Sequence, residues 1–378
     1  MLLLVENVDR ASVGTVRSSL GVDRVGVQRR LRSDRWRGNL AALASRGSFV
    51  FFSRRCFMVV LMLAVGAAFA PVRSAHPAEK KDSAADKIVI SGASGGLAGE
   101  TIDALLGRGV SPDKLVLVTR TPEKLSSLQE RGAEVRAGDF NKPDSLQTAF
   151  AGGRVLFLIS TNGGGDRVAQ HTAAINAARR AGIKHIVYTS WINVVDGNPA
   201  VVAKDHRATE DALRKSGVPY TILRNQRYSD GLVAEASQAI AAGVLITNAG
   251  IGKWAPVARR DCAEAAAVVL TTSGHEGRTY DITGPDLISE RDFASIVSGI
   301  SGKSVRVADV DDATYISMLE KAGVPEPGAT AAASFGVATR TNYMNIKSET
   351  LQLLLGRKPQ SVRELLTEHK SELLASRP

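Results

Sequence analysis

Cysteine is almost missing from this sequence. Cys56 and Cys262 are the only two among 378 residues, which excludes a small disulfide-stapled scaffold. No CxxC, HExxH or other compact ligand spacing occurs, so no metal centre is expected. Apolar runs of membrane-spanning length, roughly 18–20 residues, are missing too; the run at 57–70 has 14. Most of the chain also lacks any excess of charge. The formal net charge is +10, but +8 of it lies in residues 1–80, leaving +2 for 81–378. The main body therefore carries no basic footprint for DNA or RNA. Cys262 sits among Ala and Val in a helix-like run and reads as a buried, inert thiol.

The first eighty residues do not read as part of a fold. They are arginine-rich, without sustained periodicity, and lead into Ser53-Arg54-Arg55-Cys56-Phe57, the apolar run 57–70 and then Pro71-Val72-Arg73-Ser74-Ala75. A basic segment, a short apolar core and a small-residue end make a secretory signal. Arg54-Arg55 with Phe57 resembles the twin-arginine pattern S-R-R-x-F, whose pathway exports proteins already folded. The expectation is a non-globular leader over 1–80, a body exported to the periplasm, and membrane contact through the leader alone. An uncleaved signal anchor, and a mis-assigned start with a cytoplasmic body, are the competing readings.

From Lys87 onward the chain alternates regularly. Apolar, β-branched runs at 87–91, 114–120, 133–139, 154–160, 185–190 and 220–225 are separated by helical patterns at 96–108, 122–131, 143–151, 166–182 and 203–216. Such runs suit parallel strands covered on both faces, and strand–helix–strand repetition builds a doubly wound sheet. The expected fold class is α/β: a Rossmann-type doubly wound parallel sheet over 87–245, with a smaller α/β C-terminal substrate or lid region over 246–378 packing on it. In that region helices are expected at about 230–242, 260–272, 289–301 and 312–323, with a short strand at 279–283. Pro325, Pro327 and Gly328 suggest a turn or lid, and 361–376 an amphipathic helix.

The first strand runs into Ser91-Gly92-Ala93-Ser94-Gly95-Gly96-Leu97-Ala98, a glycine-rich turn that opens a helix. This arrangement cradles a dinucleotide pyrophosphate: glycines let the backbone approach the phosphates, and the helix N-terminus offers free N–H groups and partial positive charge. Gly92, Ser94, Gly95, Gly96 and Leu97 are the candidate phosphate-binding residues. The second strand ends in Arg120, with Lys124 a turn later, where NAD-binding folds place a carboxylate for the ribose. Arginine can grip a 2′-phosphate with paired charge-assisted bonds, so NADP(H) is expected in preference to NAD(H); a solvated arginine at a strand end is the alternative. Asp139 and Phe140 end the third strand beside the expected adenine position. Asp139 either accepts from the adenine amine or caps the helix that follows. Ser160, Thr161 and Asn162 end the fourth strand, where they either reach the nicotinamide ribose or cap a helix.

Taken in order, Ile90-Ser91-Gly92-Ala93-Ser94-Gly95, Arg120, Gly138-Asp139-Phe140, His185-Ile186-Val187-Tyr188-Thr189-Ser190, Asp205-His206-Arg207-Ala208-Thr209-Glu210, Ser216-Gly217-Val218-Pro219-Tyr220-Thr221-Ile222-Leu223-Arg224-Asn225 and Gly274-His275-Glu276-Gly277 resemble the NmrA-like branch of the atypical short-chain dehydrogenases, and within it the bacterial NAD(P)H:quinone oxidoreductase type 2 group. The resemblance spans about 87–370 and does not cover the leader. It implies a Rossmann domain with a small C-terminal domain, NADPH preference and reduction of quinones. A non-catalytic NADP(H) sensor of the NmrA type, and an epimerase-like or other small-molecule reductase, are the alternatives. An oligomer is compatible with each.

One further absence bears on the chemistry. The Tyr-x-x-x-Lys pair that lowers a tyrosine pKa for proton transfer in ordinary short-chain dehydrogenases does not follow the fifth strand: Tyr188 precedes Thr189, Ser190, Trp191 and Ile192. The spacing occurs only as Tyr343…Lys347, far downstream. Quinone reduction tolerates this, because the acceptor is already electrophilic and the protein need supply only proximity and orientation. The candidate catalytic residues are Thr189 and Ser190, to orient the carboxamide or the quinone oxygen; His206, either a donor to the quinone or a structural partner of Glu210 one turn away; and Tyr228, either stacked on a flat acceptor or a plain core aromatic.

Overall fold

A computed structural model of the chain describes residues 86–161 and 165–375. The expected leader, with Arg54-Arg55, and the candidate Asn162 lie outside the described residues. Among the described residues nine strands follow in order: β1 (Lys87–Ser91), β2 (Leu115–Thr119), β3 (Glu134–Ala137), β4 (Gly153–Leu158), β5 (His185–Trp191), β6 (Tyr220–Asn225), β7 (Val244–Thr247), β8 (Thr279–Ile282) and β9 (Arg306–Asp309). The helices of the first half are α1 (Gly96–Gly107), α2 (Ser126–Glu130), α3 (Pro143–Phe150), α4 (Arg167–Arg180) and α5 (Val201–Lys215). Those of the second are α6 (Gly231–Ala242), α7 (Arg259–Thr271), α8 (Glu290–Ser301), α9 (Asp312–Lys321), α10 (Glu326–Arg340), α11 (Thr350–Leu355), α12 (Val362–Glu368) and α13 (Lys370–Ala375).

Seven strands form one parallel sheet in the order β3-β2-β1-β4-β5-β6-β8. The central strands are apolar at successive positions because both faces are covered. On one face Ile88, Ile90, Leu117, Phe157 and Val187 pack under α1 and α7; on the other Val89, Val118, Leu156, Ile186 and Tyr188 pack under α3, α4 and α5. Strand order reverses between β1 and β4, so the connections leave in opposite directions and open a crevice at the carboxyl ends of those two strands. Ser91 Oγ closes the floor, donating to Phe157 O at 3.1 Å and accepting from Ile159 N at 3.0 Å.

The expected division at 245/246 does not match the path of the chain. β8 and α7, both downstream of it, belong to the main sheet and its helical layer. The second lobe instead combines α6, β7, α8, β9, α10, α12 and α13 around Trp254, Phe293, Leu232 and Leu366, with α9 packed on α10 and β7 and β9 paired in parallel. These two strands have four residues each, too short for a clear alternation. The expected turn at Pro325–Gly328 is the start of the 15-residue α10. Proline is compatible with a first helical turn, where its missing N–H has no intrahelical partner. The terminal amphipathic stretch is two short helices, broken at His369.

α10 lies tightly on the second lobe. A Cβ at Gly336 would sit 1.8 Å from Asn248 Oδ1, and Asn248 is itself held at 2.7 Å by Asp312 and at 2.9 Å by Ala333 O. Gly336→Ala is expected to lower the free energy of unfolding by about 1–3 kcal/mol through overpacking, read as an earlier midpoint in urea titration at unchanged slope.

Candidate functional site

Two adjoining cavities lie along the crevice. One, of about 540 Å³, is lined by Gly92, Ser94, Gly95, Thr119, Arg120, Thr121, Lys124, Asp139, Phe140, Asn141, Ser160, Thr161 and Gln170 among others. The other, of about 360 Å³, is lined by Gly92, Gly95, Gly96, Leu97, Ser160, Thr161, Thr189, Ser190, Trp191, His206, Tyr228 and Arg259 among others. Gly92, Gly95, Ile159, Ser160 and Thr161 border both, so the two are halves of one cleft. Every described candidate residue lines it.

The turn between β1 and α1 has the geometry that a phosphate requires. Gly92 has φ +62° with open space where a Cβ would stand, and a Cβ at Gly95 would lie 3.2 Å from Gly92 O. Gly95 caps α1 with no side-chain bond, and the first turn carries no acidic residue, so its N–H groups and dipole face the cleft unopposed. Ser94 Oγ pairs with Thr119 Oγ1 at 2.8 Å, tying the turn to the end of β2. Arg120 and Lys124 are exposed, with no ion pair among the described residues. Asp139 Oδ1 accepts from Asn141 N at 3.0 Å; this bond forms the turn before α3, and Lys142 rather than Asp139 is the N-cap. Phe140 meets His171 edge-on at 6.4 Å.

At the other half, several candidate hydroxyls are engaged within the protein. Thr189 Oγ1 accepts from Ser160 N at 2.9 Å and donates to Ser160 Oγ at 3.3 Å. Ser190 Oγ donates to Glu210 Oε1 at 2.7 Å. These bonds hold β4, β5 and α5 together, and the Ser190 proton is not free for a ligand. The expected pairing of His206 with Glu210 is not formed. Glu210 is instead taken by Arg224, at 2.9 and 2.7 Å, and by Arg214 at 2.8 Å. Guanidinium forks hold a carboxylate in two bonds, where an imidazole offers one.

His206 is bound by Tyr188, whose hydroxyl lies 2.8 Å from its Nδ1. Nearby, the Thr161 N–H donates to His171 Nε2 at 3.1 Å, and His171 Nδ1 lies 3.0 Å from Thr209 Oγ1. Burial, with the Arg167 guanidinium nearby, pushes both histidines down to about 3. Burial pushes the Tyr188 phenol up, as it does that of Tyr228, which accepts from Asn225 Nδ2 at 3.2 Å. Sequence reasoning missed Thr119, Thr121, Gln170, Trp191, Arg227 and Arg259 as lining residues. Arg259 reaches the mouth of α1 from α7, paired with Glu100 at 2.8 Å, and no local pattern marks so distant a contact.

The fold and the glycine turn define a nicotinamide-dinucleotide-binding reductase scaffold. Residues 92–273 match the family model described as NAD(P)H-binding. The chain is 36% identical over 269 residues to quinone oxidoreductase 2 of Escherichia coli K12, covering 71% of this chain and 93% of that protein. The structure of the E. coli NADPH-dependent quinone oxidoreductase complexed with NADPH superposes with a TM-score of 0.71 at 35% identity, covering 76% of this chain and 99% of that one. A Citrobacter triphenylmethane reductase complexed with NADP(H) gives 0.69 at 36%, covering 75% and 99%. The chain belongs to the NmrA-like NAD(P)H-binding reductase family.

The two low histidine values carry a sign. The folded values lie below the ordinary 6.5, so below that pH the unfolded chain binds more protons and stability falls as pH drops toward about 3. Replacing His206 by Gln should make the fall in unfolding free energy between about pH 6.5 and 5.5 shallower by about 1 kcal/mol. Paired urea titrations of the variant and the parent check this.

Proposed function

We propose that this chain is an NADPH-dependent reductase that transfers a hydride to a quinone-like acceptor. The main support is the match to quinone oxidoreductase 2 over 93% of its length, in a chain whose cleft has a phosphate turn at one end and an aromatic-walled chamber at the other. The residues fit NADPH. Gly92, Ser94, Gly95, Gly96 and Leu97 would surround the pyrophosphate, and Arg120, with Lys124 beside it, would take the 2′-phosphate. Asp139 and Phe140 would flank the adenine, and Ser160 and Thr161 the nicotinamide ribose.

When bound, the cofactor supplies the hydride, and water completes the acceptor's reduction to the hydroquinone with a proton. The chain's own contribution is positional. Trp191 and Tyr228 wall the acceptor chamber, His206 borders it, and Thr189 and Ser190 stiffen its floor. No side chain need give up a proton, which agrees with the missing Tyr-x-x-x-Lys pair.

Quinone-dependent loss of NADPH absorbance by the purified chain, faster than with NADH, is the expected result; tight NADPH binding without turnover on any quinone would overturn the proposal. Separately, Arg120→Ala should weaken NADPH by about ten- to a hundredfold and leave NADH nearly unchanged in binding titrations. Equal losses would remove the 2′-phosphate role.

We also propose export through the leader, on the strength of the Arg54-Arg55 pattern and the 14-residue apolar run behind it. Changing Arg54 and Arg55 to lysine should leave the protein in the cytosolic fraction of a host with the twin-arginine pathway. Unchanged fractionation would exclude that route.

A further inference from the structure

Resting on the quinone-type reading, we infer that Tyr188 and His171, neither of which borders the cleft, are positioning residues that fix His206 as a neutral Nε2–H donor to the acceptor's carbonyl oxygen. One buried chain of hydrogen bonds fixes where each of these protons resides.

The chain starts at a group whose role is unambiguous. A backbone amide can only donate, so the Thr161 N–H, 3.1 Å from His171 Nε2, makes that nitrogen an acceptor. A neutral imidazole with an accepting Nε2 carries its proton on Nδ1. His171 Nδ1 then donates to Thr209 Oγ1 at 3.0 Å, and Thr209 passes its own proton back to Asp205 O at 2.9 Å. Tyr188 lies 3.4 Å from this same Nδ1, which is protonated and cannot accept. Thr209 Oγ1 also faces this phenol but already takes the proton of His171 Nδ1, so the Tyr188 hydroxyl donates to His206 Nδ1, at 2.8 Å. An accepting Nδ1 leaves the His206 proton on Nε2.

His206 Nε2 has no partner among the described residues, and it is not among the buried, unpartnered polar atoms. His206 lines the acceptor half of the cleft, so Nε2 meets its open space. The donor is therefore preset before any ligand arrives. As hydride reaches the quinone ring, negative charge grows on the carbonyl oxygen, and a fixed, uncharged donor stabilises it without reorganisation. The opposite tautomer would present a lone pair to that oxygen and repel it. Tyr188 exerts its effect through His206, and His171 sets the direction in which Tyr188 can donate.

The test is a long-range ¹H–¹⁵N correlation on the full chain labelled at its six histidines, assigned with His206→Gln and His171→Gln. Expected are His206 protonated on Nε2 alone and His171 on Nδ1 alone, from about pH 5 to about pH 8. In Tyr188→Phe the His206 signals should become those of a tautomer mixture. Its kcat with quinone should drop about tenfold or more, while KM for NADPH stays within about twofold. His206→Gln, which restores a donor near the Nε2 position, should retain more activity than His206→Leu. A proton on His206 Nδ1 in the parent protein, or a Tyr188→Phe spectrum identical to the parent's, would overturn the inference. The stated tautomers without quinone turnover in the parent would overturn the acceptor reading alone.

Discussion

The buried carboxylate of Glu210 is the constraint on which the β5–β6 half of the cleft depends. It is fully shielded from solvent, and it is reached by two arginines and a serine from three elements: Arg224 on β6, Arg214 on α5 and Ser190 on β5. Charge taken out of water is tolerated only with such saturation. Removing a partner of a fully buried pair costs roughly 3–5 kcal/mol, and less here because Arg214 and Arg224 are partly solvated. The bonds lock α5 against the two strands, and His206, one turn earlier on the same helix, is placed by that lock. The rotation of α5 brings Tyr188 under His206 and Thr209 beside His171.

Electrostatics differ between the ends of the cleft in a way that matches two kinds of ligand group. At the β2 end Arg120 and Lys124 stand in solvent beside an uncapped helix N-terminus, a setting for phosphate. At the β5–β6 end Arg167 and Arg259 are paired with Asp205 and Glu100, Arg227 lies over the Trp254 ring, and an indole, a phenol and an imidazole held uncharged by burial border the same space. A planar, uncharged acceptor suits such a chamber. The hydroxyls of Thr189 and Ser190 contribute by bracing the strands that carry it.

The main sheet was legible because its signals are local. Parallel strands with both faces covered leave continuous apolar runs, and all six expected runs became strands within a few residues. Shorter elements left weaker traces: β7 and β9 are four residues long, and Pro325 and Pro327 read as a turn although they cap and open α10. The domain boundary failed for a topological reason. β8 and α7 return to the main sheet after the chain has visited the second lobe, and no composition shift marks the return.

The candidate residues could be named from the sequence because ligands in such folds meet strand ends, and strand ends are readable. Their roles could not. His206 and Glu210 stand one helical turn apart, which is all that spacing can say; whether they bind each other depends on arginines and a tyrosine brought in from other strands. Likewise the tautomer of His206 follows from the Thr161 amide, three residues beyond β4, acting through His171 and Tyr188. The sequence by itself determined the alternation, the glycine turn and the basic end of β2, since each is dictated by neighbours along the chain. Only the tertiary structure decided which polar groups are satisfied within the protein and which face the cleft, because hydrogen bonds between distant elements settle where each proton resides.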